Sequence, residues 1–367
     1  MHKIFEDIFL DETKYATKIK TNEYHKTGKY MIIDQWQDNI AGYTDLEEGL
    51  YTNLPAIIFG DHTRVIKYVD KPFYLGADGT KILRSKIDNA NYKYLYYALK
   101  NCKIPNTGYN RHFKWLKDTE IYFPDKKKQK EIVENLDKVN ETMSKQQKYI
   151  GKLDELVKAR FVEMFKSVND KVTIGSLCDV TSGYSFKSKD INSSNGIKLL
   201  QIGNVFFDNV NWETVNYLPD GYNIKYSRFL LNEGDIVVAL TRPIIQSLGN
   251  VKACVVRELD VPCLLNQRVG RITSKKNIDA NLEFIYECLM MNDFTKYVES
   301  CCIGCSQPNI SVHDIENYLV PNVSLKQQER FVLFKKQVDK SKLAVQQSLE
   351  KTQLLFDSLM QEYFGEN

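Results

Sequence analysis

Two stretches of this chain repeat their apolar positions at alternating steps of three and four. In the first, Ile132, Leu136, Val139, Met143, Ile150, Leu153, Val157 and Met164 share one face, and Gln146 and Arg160 fill the two remaining places in the seam. This heptad stripe contains no proline and one glycine, and it predicts a single long helix over residues 125–165. At 1.5 Å per residue, about 40 residues make a rod of roughly 60 Å. A stripe that narrow needs a second rod to cover it. Residues 322–367 supply one, with Phe331, Val338, Val345, Leu349, Phe356 and Leu359 in register and Lys335, Lys342 and Thr352 interrupting. A shift of 199 residues, with no gap, lays Gln129 on Gln328, Val133 on Val332, Leu156 on Leu355 and Phe165 on Phe364. Each stretch follows a proline, Pro124 or Pro321, where an extended segment hands over to a helix.

The repeat continues outside the helices. Residues 1–124 show short β-rich runs, Tyr30–Asp34, Pro55–Phe59, Val65–Val69 and Lys81–Leu83, separated by turn signals such as Gly60-Asp61 and Gly76-Ala-Asp-Gly79. A short helix over Ala90–Asn101, a Gly108 loop and a strand ending at Pro124 follow. Residues 166–321 run in the same order: Ile197–Ile202, Gly234–Leu240, Val251–Val256 and Arg268–Ile272 as strands, then a helix over Ala280–Asn292. A loop over Gly304–Ile310 and a strand ending at Pro321 close the block. Units this long mean domain duplication and not a solenoid. The expected plan is α+β: two β-rich domains, 1–124 and 166–321, alternating with two long helices, 125–165 and 322–367, paired as an antiparallel coiled coil with pseudo-two-fold symmetry.

Composition narrows the class only a little. The 367 residues are 43% hydrophobic and 26% charged, with a net charge of +3, so any basic surface must be local. No apolar run is long enough to span a membrane, and the acidic N-terminus lacks the apolar core of a signal peptide. Eight cysteines without regular spacing suit a reducing cytoplasm. Catalytic signatures are missing: there is no Gly-x-Gly-x-x-Gly fingerprint, no phosphate-binding loop and no Asn/Asp-Pro-Pro-Tyr motif. Cys301, Cys302 and Cys305 cluster, with His313, which opens an expected strand lead-in, the nearest histidine, but a structural zinc site wants a second ligand pair, so no metal is expected. The Lys126–Lys130 run reads as a solvated helix start, and Gln146 and Arg160 read as register devices or partner contacts.

This arrangement resembles the specificity (S) subunit of Type I restriction-modification systems over essentially the whole chain. The matches are sharpest at Gln129-Lys-Glu-Ile-Val133, at Leu153-Asp-Glu-Leu-Val-Lys-Ala-Arg-Phe-Val-Glu-Met-Phe165 and at Gly304-x-Ser-Gln-x-x-Ile310. Phe59-Gly-Asp-His-Thr-Arg64 and Leu75-Gly-Ala-Asp-Gly79 also look like part of a known type of recognition domain. The resemblance implies a non-catalytic subunit whose two domains each read half of a bipartite DNA target while the coiled coil sets the spacer. It also implies partners: two methyltransferase subunits using S-adenosylmethionine on adenine, and two restriction subunits using ATP and Mg2+. The alternative is a coiled-coil scaffold for protein contacts without sequence-specific DNA binding; salt-sensitive, sequence-dependent duplex binding separates the two. Full rod length would bound the spacer at about 17 base pairs, and antiparallel overlap would bring the half-sites nearer to one helical turn apart.

Direct readout needs polar side chains on loop tips. In the first block the candidates are His62, Thr63 and Arg64 beside Asp61, and Tyr109, Arg111 and His112 beside Gly108, with Lys18 and Lys20 for phosphates. In the second they are Tyr184 beside Gly183, Thr241, Arg242, Gln246, Gln267 and Arg268 beside Asn266, and Ser306 with Gln307. Arg64 and Arg242 each follow a threonine just after a hydrophobic strand, at matching places in the repeats. The competing structural reading pairs Asp61 with Arg64 as a local turn-stabilising ion pair.

Overall fold

The computed structural model describes residues 1–76, 79–245, 249–302 and 308–365. The chain divides into two compact units, Met1–Tyr149 with Val345–Asn367, and Ile150–Ala344. The first holds β1 (His2–Ile4), α1 (Phe5–Ile8), β2 (Phe9–Asp11), β3 (Tyr30–Ile33), β4 (Gly42–Thr44), β5 (Ala56–Gly60), β6 (Ile66–Val69), β7 (Phe73–Leu75), β8 (Thr80–Ser85), α2 (Tyr92–Lys100), α3 (Phe113–Lys117), β9 (Glu120–Tyr122) and the first part of α4 (Lys126–Phe165). The second continues α4 into β10 (Lys171–Thr173), α5 (Ile174–Leu177), β11 (Cys178–Ser182), β12 (Ile197–Leu200), β13 (Asn216–Leu218), α6 (Tyr222–Lys225), β14 (Ile236–Ala239), β15 (Ile244–Ile245), β16 (Asn250–Val251), β17 (Ala253–Val255), β18 (Cys263–Leu265) and β19 (Val269–Ser274). It ends with α7 (Leu282–Leu289), α8 (Asn292–Cys301), α9 (Val312–Asn317), β20 (Leu319–Pro321) and the start of α10 (Leu325–Phe364), whose end belongs to the first unit.

The two units share one topology. An antiparallel sheet of order β2-β8-β5-β6 in the first is matched by β11-β19-β14-β17 in the second. A three-stranded sheet β4-β3-β7, with one antiparallel and one parallel pair, is matched by β13-β12-β18 with the same senses. The short antiparallel pair β1–β9 is matched by β10–β20. The central strands β5 and β14 are buried along their whole length, and alternate residues serve different cores, as the period of two requires. Ile57 and Phe59 face α2 and the long helices, while Ala56 and Ile58 face β3 and β7. Likewise Ile236 and Val238 face α7 and the long helices, and Val237 and Ala239 face the opposite cluster.

Each long helix starts in the same way. The Asp125 carboxylate accepts from the Lys128 N–H at 2.8 Å, and 199 positions on, Ser324 and Gln327 close the equivalent cap. Gln129 and Gln328 are both buried, and each donates its amide back five residues, to Pro124 O at 2.9 Å and Val323 O at 3.0 Å. Within the first unit the start of α4 (Ile132, Leu136) packs with the end of α10 (Phe356, Met360). Within the second, the end of α4 (Leu153, Val157, Phe165) packs with the start of α10 (Phe331, Val338). The pairing is therefore antiparallel in both.

The polar interruptions in the seam are partly answered, since Gln146 Oε1 and Arg160 Nε are buried without a hydrogen-bond partner among the described residues. Gln146 donates to Ser348 Oγ at 2.9 Å and Thr352 Oγ1 at 3.2 Å. Lys342 pairs with Asp154 at 2.6 Å, and Lys335 with Asp339 at 2.7 Å and Glu287 at 3.4 Å. Arg160 lies over the Phe334 ring and pairs with Glu163. Gln146 thus hydrogen-bonds across to the facing helix, an arrangement that can fix register in paired helices.

Three local expectations are corrected. Val251–Val256 is not one strand but β16 and β17. The helix expected through Asn292 ends at Leu289, and α8 then begins a separate helix at Asn292. His313 sits in α9, not in a strand lead-in, because Ser311 and Asp314 form a capping box ahead of it.

Candidate functional site

In each unit the described parts of the loops singled out by sequence are tied to one another by backbone hydrogen bonds that follow the shared topology. In the first unit the 16–20 segment is bound to β7 by Ile19 N–H to Leu75 O (2.9 Å) and Leu75 N–H to Thr17 O (3.2 Å), which sets Lys18 beside Leu75. Asp61 N–H donates to Gly79 O at 2.6 Å, and His112 N–H donates to Asp61 O at 2.8 Å. The second unit repeats these links. Tyr184 N–H donates to Leu265 O (3.0 Å), Gln267 N–H to Tyr184 O (3.1 Å), Leu240 N–H to Arg268 O (3.0 Å) and Ile310 N–H to Leu240 O (2.9 Å). Close approach explains one glycine: a Cβ on Gly183 would stand 2.3 Å from Asn266 O.

Arg64 and Arg242 share an unusual backbone but not one place: Asp61 and Leu240 are equivalent by their bonds to Gly79 O and Arg268 O, so Arg64 stands three residues on and Arg242 two, one step off the match expected from sequence. Their φ values are +61° and +47°, a region that non-glycine residues enter at a cost and that is enriched at functional sites. Each is held by its own N–H, Arg64 to Gly60 O at 2.7 Å and Arg242 to Pro308 O at 2.8 Å. Their side chains diverge. Arg64 is half-buried and donates to Ile104 O at 3.2 Å, whereas Arg242 is exposed. Thr241 bridges Asn309.

The remaining candidates sort by exposure. Tyr109 is 78% exposed and stacks on His62 at 4.5 Å with rings 9° apart. His62 Nδ1 meets Asn110 O at 3.1 Å, and its backbone N–H donates to Gln35 Oε1 at 3.2 Å. Arg111, Lys18, Lys20, Gln267 and Arg268 are exposed. Tyr184 is 39% exposed and sits in a ring cluster with Phe186, Tyr226 and Phe229 at 4.8–5.3 Å. His112 requires correction as a contact residue. It is fully buried, with Nδ1 on Asp61 O at 3.0 Å and Nε2 on Thr107 Oγ1 at 3.3 Å, so it supports the loop from beneath. Thr63 is likewise turned inward, its hydroxyl donating to Gln35 O. Nor does Asp61 pair with Arg64; its carboxylate accepts from the Phe113 N–H at 2.7 Å and starts α3. Gln246, Ser306 and Gln307, and Cys305 with them, lie outside the described residues.

Two contributors escaped the sequence reading. Trp36, 59% exposed, follows β3 on a loop whose Gln35 holds His62. That loop is braced by Lys67, which is buried beside Asp34 at 3.6 Å and donates to Asp38 O; burial pushes its ammonium pKa down, with Asp34 and Asp38 working against this. The other is the Tyr222–Phe229 segment, packed on Tyr184. Its interleaved basic and aromatic residues, Tyr222-Asn-Ile-Lys-Tyr-Ser-Arg228, were a visible signal.

Together these edges present exposed Arg, Lys, Gln and aromatic groups on stiff supports, the donors and ring faces that read base edges and phosphates. Among the described residues no cluster of three or more His, Cys, Asp or Glu could hold a metal, and no helix is long and apolar enough to cross a membrane. The MjaVIII Type I restriction enzyme specificity subunit of Methanocaldococcus jannaschii is 37% identical over 169 residues, 46% of this chain and 39% of that one. The EcoAI specificity subunit of Escherichia coli is 31% identical over 161 residues, 43% of this chain and 26% of that one. The matched regions thus span well under two thirds of these relatives. In fold, the S subunit of a Type I restriction-modification system from M. genitalium aligns with a TM-score of 0.56 at 17% identity, covering 100% of this chain and 96% of the other. A chain from a type I R-M system studied for its assembly and conformational transition aligns at 0.58 and 15% identity, covering 99% and 97%. The family model for the Type I restriction modification DNA specificity domain matches residues 6–151 and again residues 167–354, once for each repeat, and the chain belongs to that family.

Proposed function

We propose that this chain is the non-catalytic DNA-recognition subunit of a Type I restriction-modification enzyme, residues 1–124 and 166–321 each reading one half of a bipartite target. The observation that carries this is one topology built twice with unlike side chains at the same edge: Lys18 against Tyr184, Gly76 and Gly79 against Gln267 and Arg268, a tucked Arg64 against an outward Arg242. A symmetric dimer reads a palindrome; a single chain that imitates a dimer with two different readers reads two different half-sites. The long helices act as the spacer.

Chemistry comes from partners: two methyltransferase subunits carrying S-adenosylmethionine, which methylate a flipped adenine in each half-site, and two restriction subunits using ATP and Mg2+. All of this takes place in the cytoplasm. Exposed leucines on α10, Leu333 and Leu343 in one unit and Leu354 and Leu355 in the other, suit such protein contacts. The test is binding by the chain assembled with its methyltransferase. Duplex carrying the mapped target should compete at least about a thousandfold better than shuffled duplex, with affinity falling steeply with salt. Equal competition by both duplexes would refute the reading.

A further inference from the structure

Ile224 is 79% exposed, and with Tyr109 it is the most exposed large apolar side chain among the described residues. A single exposed isoleucine is unremarkable by itself. Three features of its setting are not.

The first is support. Gly221, at φ +84°, turns the chain into α6, and the segment is then pinned through its rings. Tyr222 lies 6.4 Å from Phe186; Tyr226 lies 4.8 Å from Tyr184 and 5.1 Å from Phe186; Phe229 lies 5.3 Å from Tyr184. Arg271 adds a bond to Leu230 O at 2.9 Å. Ile224 therefore stands on a stiff base and not on a loose loop.

The second is charge. Lys225, the residue after Ile224, places its ammonium over the Tyr222 and Tyr226 rings at 5.5 and 5.3 Å, which fixes it to the aromatic base. Arg228, Lys187 and Lys189 are exposed on the same segment and on the one it packs against, and together with Lys225 they outnumber the acids Asp190 and Asp220. The third is place: Tyr184, on which the segment rests, is hydrogen-bonded to Gln267 at the candidate reading edge.

An apolar tip on a rigid base, collared by cations and set beside groups that would read bases, is the chemistry of a side chain that enters a base step. Such wedges unstack the step, and the phosphates on either side meet the flanking cations. We infer that Ile224 is a DNA wedge: it inserts between adjacent base pairs at or beside the half-site read by the second unit and unstacks them, with Lys225 and Arg228 on the neighbouring phosphates. The inference rests on the DNA-reading role proposed above. Charge favours DNA over a protein partner as the occupant.

The experiment uses the chain assembled with its methyltransferase subunits on duplexes in which 2-aminopurine replaces one base at a time across the second half-site and its flanks. Brightening at the methylated adenine reports the partner's own base flipping and serves as the internal control. The wedge predicts a second bright position, away from that adenine, in the wild type and in Ile224→Leu. In Ile224→Ser this position should go dark, while the target sequence is still preferred and affinity falls by no more than about tenfold. Lys225→Ala with Arg228→Ala should weaken binding and lower its salt dependence without changing which sequence is chosen. Absence of a second bright position, or its persistence in Ile224→Ser with the control intact, would overturn the wedge alone. Loss of subunit assembly by Ile224→Ser without DNA would also overturn it and make Ile224 a protein contact. Absence of target preference in the wild type would overturn the underlying reading as well.

Discussion

Two residues of the second unit stand in opposite settings, one exposed at the proposed reading edge and one buried in the core. Arg242 is exposed, held in a left-handed backbone by its own N–H, and stands at a strand end. Arg242→Ala should remove about 1–3 kcal/mol of discrimination at one position of one half-site and leave the other half unchanged. Methylated-adenine mapping of cells carrying the variant checks this, and equal relaxation in both halves would contradict it. Glu287 does the opposite kind of work. It is buried on α7, and burial, only partly offset by Lys335 at 3.4 Å, pushes its carboxyl up to about 7 from an ordinary value near 4.5. Between those values the unfolded chain releases the proton while the folded chain keeps it. The Glu287 contribution to stability is therefore fullest below about pH 4.5 and is lost as pH rises towards about 7, each unit of upward shift being worth about 1.4 kcal/mol. Glu287→Gln, which cannot ionise, should flatten that slope. Calorimetric unfolding midpoints from pH 5 to 8 measure it, and an unchanged slope would refute the assignment.

At the scale of elements, the buried glutamines in the first turn of each long helix give a comparative prediction. Gln129 bonds Pro124 O, whereas Gln328 bonds Val323 O and also accepts from Asn281 N–H at 2.9 Å, joining the start of α10 to the N-cap of α7. Truncation strands one half-buried partner in the first case and two in the second, each at up to about 1–3 kcal/mol. Gln328→Ala should thus lower the urea midpoint more than Gln129→Ala; the reverse order would contradict this account. These glutamines also mark what was legible. The helices announced themselves through a long heptad stripe, and the 199-residue repeat exposed Gln129 with Gln328, Val133 with Val332 and Phe165 with Phe364, because long-range repetition survives without any knowledge of contacts. The inner strands β3, β5, β8, β12, β14 and β19 were legible from their hydrophobic runs, whereas the short edge strands β2, β4, β7, β11, β13 and β18 were not. What was not legible depends on burial: His112 and Thr63 look like contact residues in the sequence, and only the fold turns them inward. Trp36 and Ile224 stand out only once their exposure is known. Helix α8 was missed although Phe294, Tyr297, Val298 and Cys301 stand at helical spacing, because the expected helix closes at Asn292 and the next residues read as a lead to the Gly304 loop.

At the scale of the molecule, the chain builds the same strand order twice and gives each copy different loops, while each long helix lends part of its length to both units. Duplication fixes the scaffold and frees the edges to differ, so recognition should be modular. The direct test is to replace residues 166–321 with the corresponding block of another specificity subunit, express the chimera with its methyltransferase, and map methylated adenines across the host genome. Two independent readers on a common scaffold predict a new bipartite motif in which one half is exchanged and the other is kept to the base. A motif altered in both halves, or one unchanged by the exchange, would contradict it.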